Sequence, residues 1–510
     1  MRDSFAGSRS RPLHGSARTA PTLSKSKYMA GCQCVRRVWL ACRAPELASK
    51  PDPAKQAIFD LGHEVGRCAH RLFPHGVLVS QAAWEHGEAI ERTRALLADP
   101  AVPAIFEAAF EHAGVRIRAD VLERLPGGRF GLREVKASTR VKAEHVDDCA
   151  VQQHVLEGCG LRIASVELVH VNPEYVREAG EIDWPAFFVR ADLTREAAAA
   201  LPGVRERLPR LHAVVRAPSA PEIEPSGHCF VPYDCEFRDH CTREKPDDWI
   251  FHLPWIKKQF ETLRAAGIER IVEIPDEHPL PGLHYRIREA LRSGKLRVEP
   301  GLLEALREAG PPAHYLDFET TNPAIPLYVG TRPYETIAFQ WSLHTDDGNT
   351  SLRHHEFLAD GAVDPRREFA ETLIAALSGD DAPVLVYSSY ESTQLDRLAD
   401  LYRDLAPALC RIRDRLFDLL PVVRGHLYHP DFAFSFSIKS VAPVLAPGLN
   451  WNDLDTIAEG ASASAAFAAL AAGLPPAVER DRLRAALRAY CARDTLALVR
   501  VHKALREMTR

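Results

Sequence analysis

The sequence predicts an α/β protein in which two modules carry chemistry and a helical connector joins them. Three observations indicate this fold class. Residues 117–125 and 130–135 alternate apolar and polar side chains on the two sides of a Pro-Gly-Gly turn, which is typical of a β-hairpin. Residues 314–387 contain three extended stretches, a helical stretch and a further apolar strand, in that order. Stretches with helical periodicity precede and follow both groups of strands.

Length and composition divide the chain into four segments. A chain of 510 residues predicts about two to four domains. We expect a disordered basic N-terminus at 1–22, a first module at 23–245, a connector at 246–310 and a second module at 311–510. The N-terminus lacks the apolar core of a secretory signal, and eleven cysteines without such a signal predict a reducing cytoplasm.

Charge and hydropathy exclude two classes of protein. The net charge of −5 argues against a protein that coats DNA through a uniformly basic surface. A nucleic acid would have to be held by local basic patches and metal ions. No apolar run approaches the ~18 residues that span a bilayer, so we expect no membrane partner.

The predicted hairpin carries three side chains suited to phosphodiester chemistry. Asp120 lies on its first strand, while Glu134 and Lys136 lie two apart on its second strand and point to the same face. If the register sets Asp120 opposite them, the two carboxylates repel each other unless a divalent cation lies between them. Such a cation activates water, and Lys136 adds positive charge at the transition state. The alternative is a surface hairpin with a solvated salt bridge.

Two helices are predicted before the hairpin. Ser24 or Ser26 is expected to cap a helix that runs through Trp39. Residues 54–73 form an amphipathic pattern, whose apolar face comprises Ile58, Phe59, Leu61, Val65, Ala69 and Leu72.

Further helices are predicted after the hairpin. Residues 194–215 are expected to be helical with an interruption at Pro202-Gly203. The connector is predicted to hold two amphipathic helices with solvated surfaces and no chemistry.

These features resemble the PD-(D/E)XK nucleases of the RecB-like branch, which includes CRISPR-associated iron–sulfur exonucleases. The resemblance implies a mixed α/β nuclease core in which the three hairpin residues are catalytic and the two carboxylates hold Mg²⁺ or Mn²⁺. Gln152 matches a Gln in the helix that follows the Lys strand of that branch. His70, four residues after Gly66, fits the His of the family's first helix as a further metal ligand, with His63 as the alternative.

Three evenly spaced cysteines follow a linker at residues 218–225. Cys229, Cys235 and Cys241 are separated by five residues each and lack the CxxC knuckle usual in structural zinc sites. The iron–sulfur members of the RecB-like branch have a fourth cysteine, which matches Cys34, with Cys32 as the alternative. The resemblance implies a four-iron, four-sulfur cluster (4Fe–4S) that links the two ends of the first module. Zinc and unrelated buried cysteines are the alternatives.

Acidic side chains recur in the second module. Asp317 and Glu319 lie two apart on a predicted strand and share a face, while Tyr490 and Asp494 lie four apart on a predicted helix. These motifs resemble the DnaQ-like DEDD exonucleases, which have an RNase H-like fold. The resemblance implies that the three acids, together with Glu391, hold two Mg²⁺ or Mn²⁺ ions. It also implies that Tyr490 orients the attacking water.

Glu391 departs from that family, which normally has Asp at this position. Its extra methylene would shift the geometry of the metal ions. Lys439 lies in a segment similar to one that follows the second motif of these enzymes, and the resemblance implies contact with a substrate phosphate. Asp418 lies in the same region, and we interpret it as a structural residue.

The chain as a whole resembles a bacterial family that fuses a RecB-like module to a DnaQ-like module. The resemblance implies a cytoplasmic, metal-dependent nuclease with two candidate active sites. We expect it to act on DNA rather than RNA, as an exonuclease or end-processing enzyme in repair or defence. Two alternatives stay open: a nucleic-acid-binding adaptor with wholly or partly inactive nuclease folds, and an RNase, because both metal chemistries cleave either polymer.

Overall fold

The computed structural model describes residues 22–349, 351–454, 457, 459–474 and 476–510. Within these residues the chain is a mixed α/β protein, as predicted, with most strands in two larger sheets. The expectation of disorder for residues 1–22 concerns a segment that, apart from Thr22, lies outside the described residues. None of the described helices has both the length and the apolar composition required to cross a membrane.

The first sheet contains seven strands in the described part of the chain. They are β1 (Leu23–Ser24), β2 (Val77–Leu78), β3 (Ala104–His112), β4 (Val115–Leu125), β5 (Arg129–Lys136), β6 (Ile163–Val171) and β7 (Phe188–Asp192). Their order is β2-β3-β4-β5-β6-β7, and β1 pairs parallel to β4. The predicted hairpin is confirmed as β4 and β5, which pair antiparallel. Val121 pairs with Arg133, so the register sets Asp120 across from Glu134.

Helices cover both faces of this sheet. The first module contains α1 (Lys25–Gln33), α2 (Val35–Arg43), α3 (Pro53–Ala69), α4 (His86–Ala98), α5 (Ala143–Gly158), α6 (Trp184–Phe187), α7 (Thr194–Arg216) and α8 (Arg238–Thr242). On one face, Val151 of α5 and Leu208 of α7 share a core with Leu132 of β5. On the other face, Val65 of α3 packs in a core with Val135. Glu134 therefore lies on a strand that is covered from both sides.

The predicted helix through Trp39 is in fact two helices. Ser24 caps α1 as expected, because its Oγ accepts from the backbone N–H of Lys27 at 3.2 Å. The helix ends at Gln33, and Cys34 adopts an extended backbone with φ of −156°. The helical hydrogen bonds are interrupted there, and α2 begins at Val35.

The predicted break in α7 is wrong, because this helix runs without interruption from Thr194 to Arg216. Its internal prolines, Pro202 and Pro209, are both exposed. On that side, water can donate to the backbone carbonyl groups that lose their helical partner because proline has no N–H. Leu201 and Leu208 are buried on the opposite side, and their packing holds the helix together.

The predicted apolar face of α3 is wrong at its N-terminal end. Ile58 is 65% exposed and Phe59 is 53% exposed, whereas Val65 and Ala69 are fully buried. Ile58 lies on the same helical face as Val65, which is seven residues later. Its exposure therefore indicates that the sheet does not extend under the first turns of α3.

The connector packs into the second module. It contains α9 (Lys257–Ala265), α10 (Gly282–Ser293), β8 (Arg297–Val298) and α11 (Leu302–Ala305), so the two expected amphipathic helices are present. Phe260 and Ile287 share one hydrophobic core with Tyr315 and Leu498 of the second module. The predicted boundary near residue 311 therefore does not separate two cores.

The second larger sheet has five strands among the described residues. They are β9 (Ala313–Thr321), β10 (Ile337–Asp346), β11 (Leu352–Leu358), β12 (Val384–Val386) and β13 (Leu416–Asp418). Their order is β11-β10-β9-β12-β13. The first three strands pair antiparallel, while β12 pairs parallel to both β9 and β13. The predicted succession of three strands, a helix and a further strand is confirmed. Because β9 is central, the acids on it lie in the middle of the sheet.

Seven further helices and a short strand complete the described second module. They are α12 (Arg366–Ala376), α13 (Tyr390–Leu401), α14 (Ala406–Arg413), α15 (Leu419–His426), β14 (Leu427–Tyr428), α16 (Ile438–Leu445), α17 (Gly460–Ala471) and α18 (Ala477–Glu507). Phe318 of β9 packs against α12 on one face of the sheet. Tyr315 packs in the core that contains α16, α17 and α18, on the other face. β14 pairs with β8 of the connector.

The segment between β9 and β10 rests on the first module. Ala324 belongs to the same core as Val135 of β5. The hydroxyl of Tyr334 donates to the backbone oxygen of Ala137, and Arg177 Nη1 donates to the backbone oxygen of Pro326 at 2.6 Å. The chain that follows the acids of β9 therefore contacts the strand that carries Glu134.

Candidate functional site

Glu134 is the centre of the first candidate site and is only 1% exposed. Its Oε1 accepts hydrogen bonds from Lys25 Nζ at 2.7 Å and from Lys136 Nζ at 2.6 Å. Gln152 Nε2 donates to its Oε2 at 2.6 Å. The structure therefore brings Glu134, Lys136 and Gln152 into direct contact.

Asp120 joins this cluster from β4, where its Oδ2 accepts from the backbone N–H of Val135 at 2.7 Å. Burial and the negative charge of Glu134 raise the pKa of Asp120 to about 8. For Glu134, burial favours the neutral acid, but the charges of Lys136 and Lys25 hold its pKa far below the usual range. One carboxylate that two ammonium groups hold in the ionised form thus lies next to a carboxyl whose pKa is shifted in the opposite direction.

Sequence reasoning missed two residues of this site, Lys25 and Asp148. Lys25 Nζ lies 3.3 Å from Asp148 Oδ1, and Lys136 Nζ donates to Asp148 Oδ2 at 2.7 Å. Lys25 is 109 residues from Glu134 in the sequence, so no local spacing indicates it. Asp148 lies four residues before Gln152 on α5, and this shared helix face is the signal that could have found it.

Glu107 is a further carboxylate near the first site. Its neighbours on β3 pair with the residues on either side of Asp120. Burial raises its pKa, and the negative charge of Glu134 acts in the same direction. Its φ is 55°, which is a strained conformation for a residue other than glycine, and such strain concentrates at functional sites.

His70 does not contact these carboxylates among the described residues. Its ring stacks on Phe106, with centroids 3.9 Å apart and an interplanar angle of 4°. Burial and the charge of Arg67 lower its pKa. His63, the alternative, is exposed, and its charge acts on Glu107. The role of His70 as a metal ligand stays a prediction without a contact that supports it.

The four predicted cysteines, Cys34, Cys229, Cys235 and Cys241, line one pocket, and all four are free thiols. Burial raises the pKa of the last three, to about 11 for Cys235. Cys34 reaches the pocket because it lies in the extended break between α1 and α2. The alternative, Cys32, points elsewhere, since its Sγ accepts from Arg207 Nη1 at 3.3 Å.

Hydrogen bonds hold the two walls of this cysteine pocket together. Gln33 Nε2 donates to the backbone oxygens of His228 and Tyr233, both at 2.7 Å. Arg37 pairs with Glu236 at 2.6 Å. Gln33 and His228 are 195 residues apart, so the pocket joins the two ends of the first module.

The acids of the second candidate site converge from three elements. Asp317 and Glu319 lie on β9, Glu391 on α13 and Asp494 on α18. Glu319, Glu391 and Asp494 are 6%, 4% and 8% exposed. One ligand atom each from Asp317, Glu319 and Cys491 lies within 4.8 Å of the others, which is close enough to hold a metal ion.

Burial raises the pKa of every acid in this cluster, and the charges of neighbouring acids of the cluster add to the shift for Asp317 and Glu319. The pKa of Asp317 is raised first by burial and then by the charge of Asp494, and that of Glu319 is raised by the same two causes. Burial raises the pKa of Glu391 to about 7 and that of Asp494 to about 6. The charge of Lys439 favours the ionised forms of Glu319 and Asp494, but burial outweighs it, in contrast to Glu134, whose pKa is lowered by Lys136 and Lys25.

Tyr490 lies at the edge of this cluster and is 3% exposed. Lys439 Nζ donates to its hydroxyl at 2.9 Å. Trp451 Nε1 donates to Asp494 Oδ1 at 2.6 Å and fixes that carboxylate. Lys439 Nζ also lies 4.7 Å from the centroid of the Tyr490 ring, so its positive charge is located next to the second site.

Cys491 and Trp451 are residues of this site that sequence reasoning missed. Cys491 Sγ lies 3.5 Å from Asp317 Oδ2 and is fully buried. Its place next to Tyr490 in the predicted motif is a signal that could have found it, whereas Trp451 has no spacing to the acids that indicates its role. Asp418 caps α15 through the backbone N–H of Leu420 at 2.9 Å, in keeping with its interpretation as a structural residue.

One protein family matches the chain in part. Residues 314–437 match a family described as Domain of unknown function (DUF2779). The matched stretch contains Asp317, Glu319 and Glu391, and it ends before Lys439 and α18. A comparison with curated proteins found no match.

Proposed function

We propose that the protein is a metal-dependent nuclease that hydrolyses phosphodiester bonds of DNA, with its main active site in the second module. The observation that carries this proposal is the convergence of four acids from β9, α13 and α18, all with raised pKa values. Carboxylates that repel one another in a buried site are stabilised by divalent cations. Mg²⁺ or Mn²⁺ fits this donor set, because these ions prefer carboxylate oxygens.

Each residue of the second site has a role suited to its position. The four acids would hold the metal ions, which supply an activated water and charge neutralisation at the scissile phosphate. The hydroxyl of Tyr490, fixed by Lys439 at 2.9 Å, is placed to orient a water by hydrogen bonding. Lys439 adds positive charge where the phosphate gains negative charge. The strand order β11-β10-β9-β12-β13 is that of RNase H-like folds, which supports a DnaQ-like module.

The first site supports a second hydrolytic centre of the RecB-like type. The hairpin register sets Asp120 across from Glu134, with Lys136 on the same strand. A divalent ion bound here would have to displace the proton that the raised pKa of Asp120 favours and would compete with Lys25 and Lys136 for Glu134. Lys136 would then stabilise the charge that develops on the phosphate.

The cysteine pocket supports a 4Fe–4S cluster. No three of its four sulfurs, all within the described residues, lie within 4.8 Å of one another. In a tetrahedral zinc site with Zn–S bonds of about 2.3 Å, the sulfurs lie about 3.8 Å apart. The wider spacing favours a cluster, whose cysteine ligands are all thiolates. Eleven free cysteines favour a reducing cytoplasm as its location.

A second function has one observation in its favour. Lys25 and Lys136 neutralise Glu134 within hydrogen-bonding distance, so the charge of this carboxylate is balanced without a metal ion. It is therefore suited to bind nucleic acid without cleaving it, as an adaptor for the second module. Such a protein would have one active site rather than two.

Hydrolysis of labelled DNA and RNA, each as single and double strands, tests these functions with Mg²⁺ and with Mn²⁺. We expect Asp317→Asn to abolish exonuclease activity, and Lys136→Met to abolish only the activity of the first site. Asp400→Asn, an exposed acid on the same helix as Glu391, is the control and should match the wild type. Wild-type protein that cuts no polymer with either metal would contradict the nuclease. Loss of activity in Asp317→Asn alone would favour the adaptor role of the first module.

A further inference from the structure

A groove leads from the second site to the connector. It is lined by Asp317, Glu391 and Lys439 at the acidic end and by Trp255, Arg424 and Phe436 further out. We infer that this outer part is a nucleobase-stacking subsite, which receives unpaired nucleotides of the strand whose end lies in the acidic site. The inference rests on the proposed nuclease function and deepens it, because it selects single-stranded ends as the substrate class.

Trp255 is the main element of this subsite. Its side chain is 71% exposed, although large aromatic side chains are normally covered. Its φ is 57°, which is strained for any residue other than glycine. Leu253 and Ile256 on either side of it are buried, so the backbone that presents the ring is anchored. The connector thus holds an indole in the groove at a conformational cost.

The opposite wall of the groove is aromatic and strained as well. Phe434 has a φ of 63°, and its backbone N–H donates to the hydroxyl of Tyr428 at 3.2 Å. Its ring lies 5.1 Å from that of His252, which joins this wall to the connector. Phe436 is buried and lines the groove beside it. Strain on both walls of one groove is typical of ligand-binding positions.

Charged and polar groups lie between the aromatic rings. The Arg424 guanidinium is 5.4 Å from the Trp255 ring and 5.9 Å from the Phe436 ring. Its Nε and the hydroxyl of Tyr387 are buried without a hydrogen-bond partner among the described residues. Buried polar atoms normally have partners, so two hydrogen-bonding groups beside the groove are left unsatisfied by the described residues. The Arg424 guanidinium, between the two rings, supplies the positive charge that a phosphate oxygen requires.

The combination of rings and a cation selects the ligand. Single-stranded nucleic acids are bound by aromatic rings that stack on bases and by cations that contact the backbone. A base inside a duplex is stacked on both faces and paired, so it cannot lie flat on Trp255 unless the duplex opens. The carboxylates at the end of the groove would need metal ions to accept a phosphate, and these same ions are required for hydrolysis. The occupant that fits the whole groove is therefore an unpaired strand end.

Binding of fluorescently labelled single-stranded and blunt duplex oligonucleotides, measured by anisotropy with Ca²⁺ in place of Mg²⁺, tests the subsite directly. We expect Trp255→Ala to weaken single-strand binding by about 5- to 100-fold, which is the range for one lost stacking contact. Trp255→Phe should restore most of the affinity. Trp84→Ala removes an 86% exposed tryptophan of the first module and should bind like the wild type.

Hydrolysis assays distinguish a failure of the stacking subsite from a failure of the proposed nuclease function. On the p-nitrophenyl ester of thymidine 5′-monophosphate, which has no neighbouring base, Trp255→Ala should lose much less kcat/KM than on an oligonucleotide. Equal losses on both substrates, or unchanged single-strand affinity, would overturn the subsite. Wild-type protein that binds single strands through Trp255 but hydrolyses neither substrate would leave the subsite standing and contradict the nuclease. Equal weakening of single-strand and duplex binding would also overturn it.

Discussion

Lys25 Nζ lies 2.7 Å from Glu134 Oε1, so a helix at the start of the first module places a positive charge in its candidate active site. We expect Lys25→Met to strengthen Mn²⁺ binding there, because the ion would then meet Glu134, Asp148 and Asp120 with one competing cation fewer. Without metal, the variant should be destabilised by roughly 1.5–3 kcal/mol, as for lost hydrogen bonds to a charged group. Thermal unfolding in EDTA and in increasing Mn²⁺ measures both effects.

Lys27→Met is the matched control, since it makes the same change two residues later on α1. It should not change the stabilisation by Mn²⁺. The contrary result is that Mn²⁺ stabilises Lys25→Met no more than the wild type. In that case Lys25 and Lys136 do not compete with a metal ion, and the first site is an ion-pair network that binds no metal.

The two sites differ in how far sequence could predict them. Asp317 and Glu319 follow from a spacing of two on a strand, and Tyr490 and Asp494 from a spacing of four on a helix, since these periods fix the face of each element. Lys25 could not be predicted in this way. It enters its site from another element, 109 residues away, through tertiary packing that leaves no local pattern.

The strands and the groove likewise differ in whether a local sequence pattern could predict them. The alternation of side chains predicted β4 and β5, and β6 matched its predicted range from Ile163 to Val171. β3 was not predicted, because its residues are buried on both faces and show no alternation. The groove beside the second site was also not predicted. Trp255 precedes two helices with ordinary amphipathic patterns, α9 and α10, and only the coordinates place it next to Arg424.

Removing one acid of the second site should stabilise the metal-free protein. Burial raises the pKa of Glu391 to about 7, so the folded state loses stability as the pH rises from the unfolded value near 4.5 to about 7. At pH 8 in EDTA, we expect Glu391→Gln to raise the free energy of unfolding by roughly 1–3 kcal/mol. It should also abolish the stabilisation by Mg²⁺. Denaturant titrations with EDTA and with Mg²⁺ measure the two effects.

Asp400→Asn provides the comparison for Glu391→Gln, because Asp400 lies on the same helix and its side chain is 75% exposed. It should alter neither the free energy of unfolding nor the effect of Mg²⁺. A Glu391→Gln protein that is less stable than the wild type in EDTA at pH 8 would show that burial of the ionised Glu391 carboxylate does not destabilise the metal-free fold.

Tyr490→Phe tests the role of the hydroxyl that Lys439 contacts at 2.9 Å. We expect kcat on single-stranded DNA to fall by about 10²–10⁴-fold, the range for a lost general acid–base or water-orienting group, with little change in KM. Steady-state kinetics with Mg²⁺ measures the split. Tyr285→Phe, which removes a hydroxyl on the connector helix α10, should leave both constants unchanged. A rise in KM at constant kcat would assign Tyr490 to substrate binding instead.

Cys34→Ser and Cys32→Ser distinguish two neighbouring thiols, one that lines the cysteine pocket and one that contacts Arg207. Protein purified without oxygen should show the broad visible absorption of a 4Fe–4S cluster in the wild type and in Cys32→Ser. Cys34→Ser should lose that absorption and its iron, because a serine hydroxyl is a poor substitute for a thiolate. Iron-free, colourless wild-type protein that contains stoichiometric zinc would contradict the cluster.

Acid should destabilise the second module through two buried histidines, His344 on β10 and His502 on α18. His344 Nδ1 lies 2.8 Å from Thr495 Oγ1, and His502 Nδ1 lies 2.9 Å from the hydroxyl of Tyr315. Burial lowers the pKa of each imidazole to about 4. An unfolded histidine has a pKa near 6.5, so between pH 6.5 and 4 the unfolded chain binds protons that the folded protein excludes. Stability therefore falls as the pH falls through this window, by on the order of 3 kcal/mol for each imidazole.

His502→Gln removes one of these titrations. In EDTA, the free energy of unfolding of this variant should depend less steeply on pH between 6.5 and 4 than that of the wild type. His355→Gln, an exposed position on β11, should keep the slope of the wild type. Since Thr495 follows Asp494 on α18, the histidine contacts also fix the helix that supplies an acid to the second site. Parallel slopes for His502→Gln and the wild type would mean that His502 accepts its proton in the folded protein, and that acid acts on the fold through other groups.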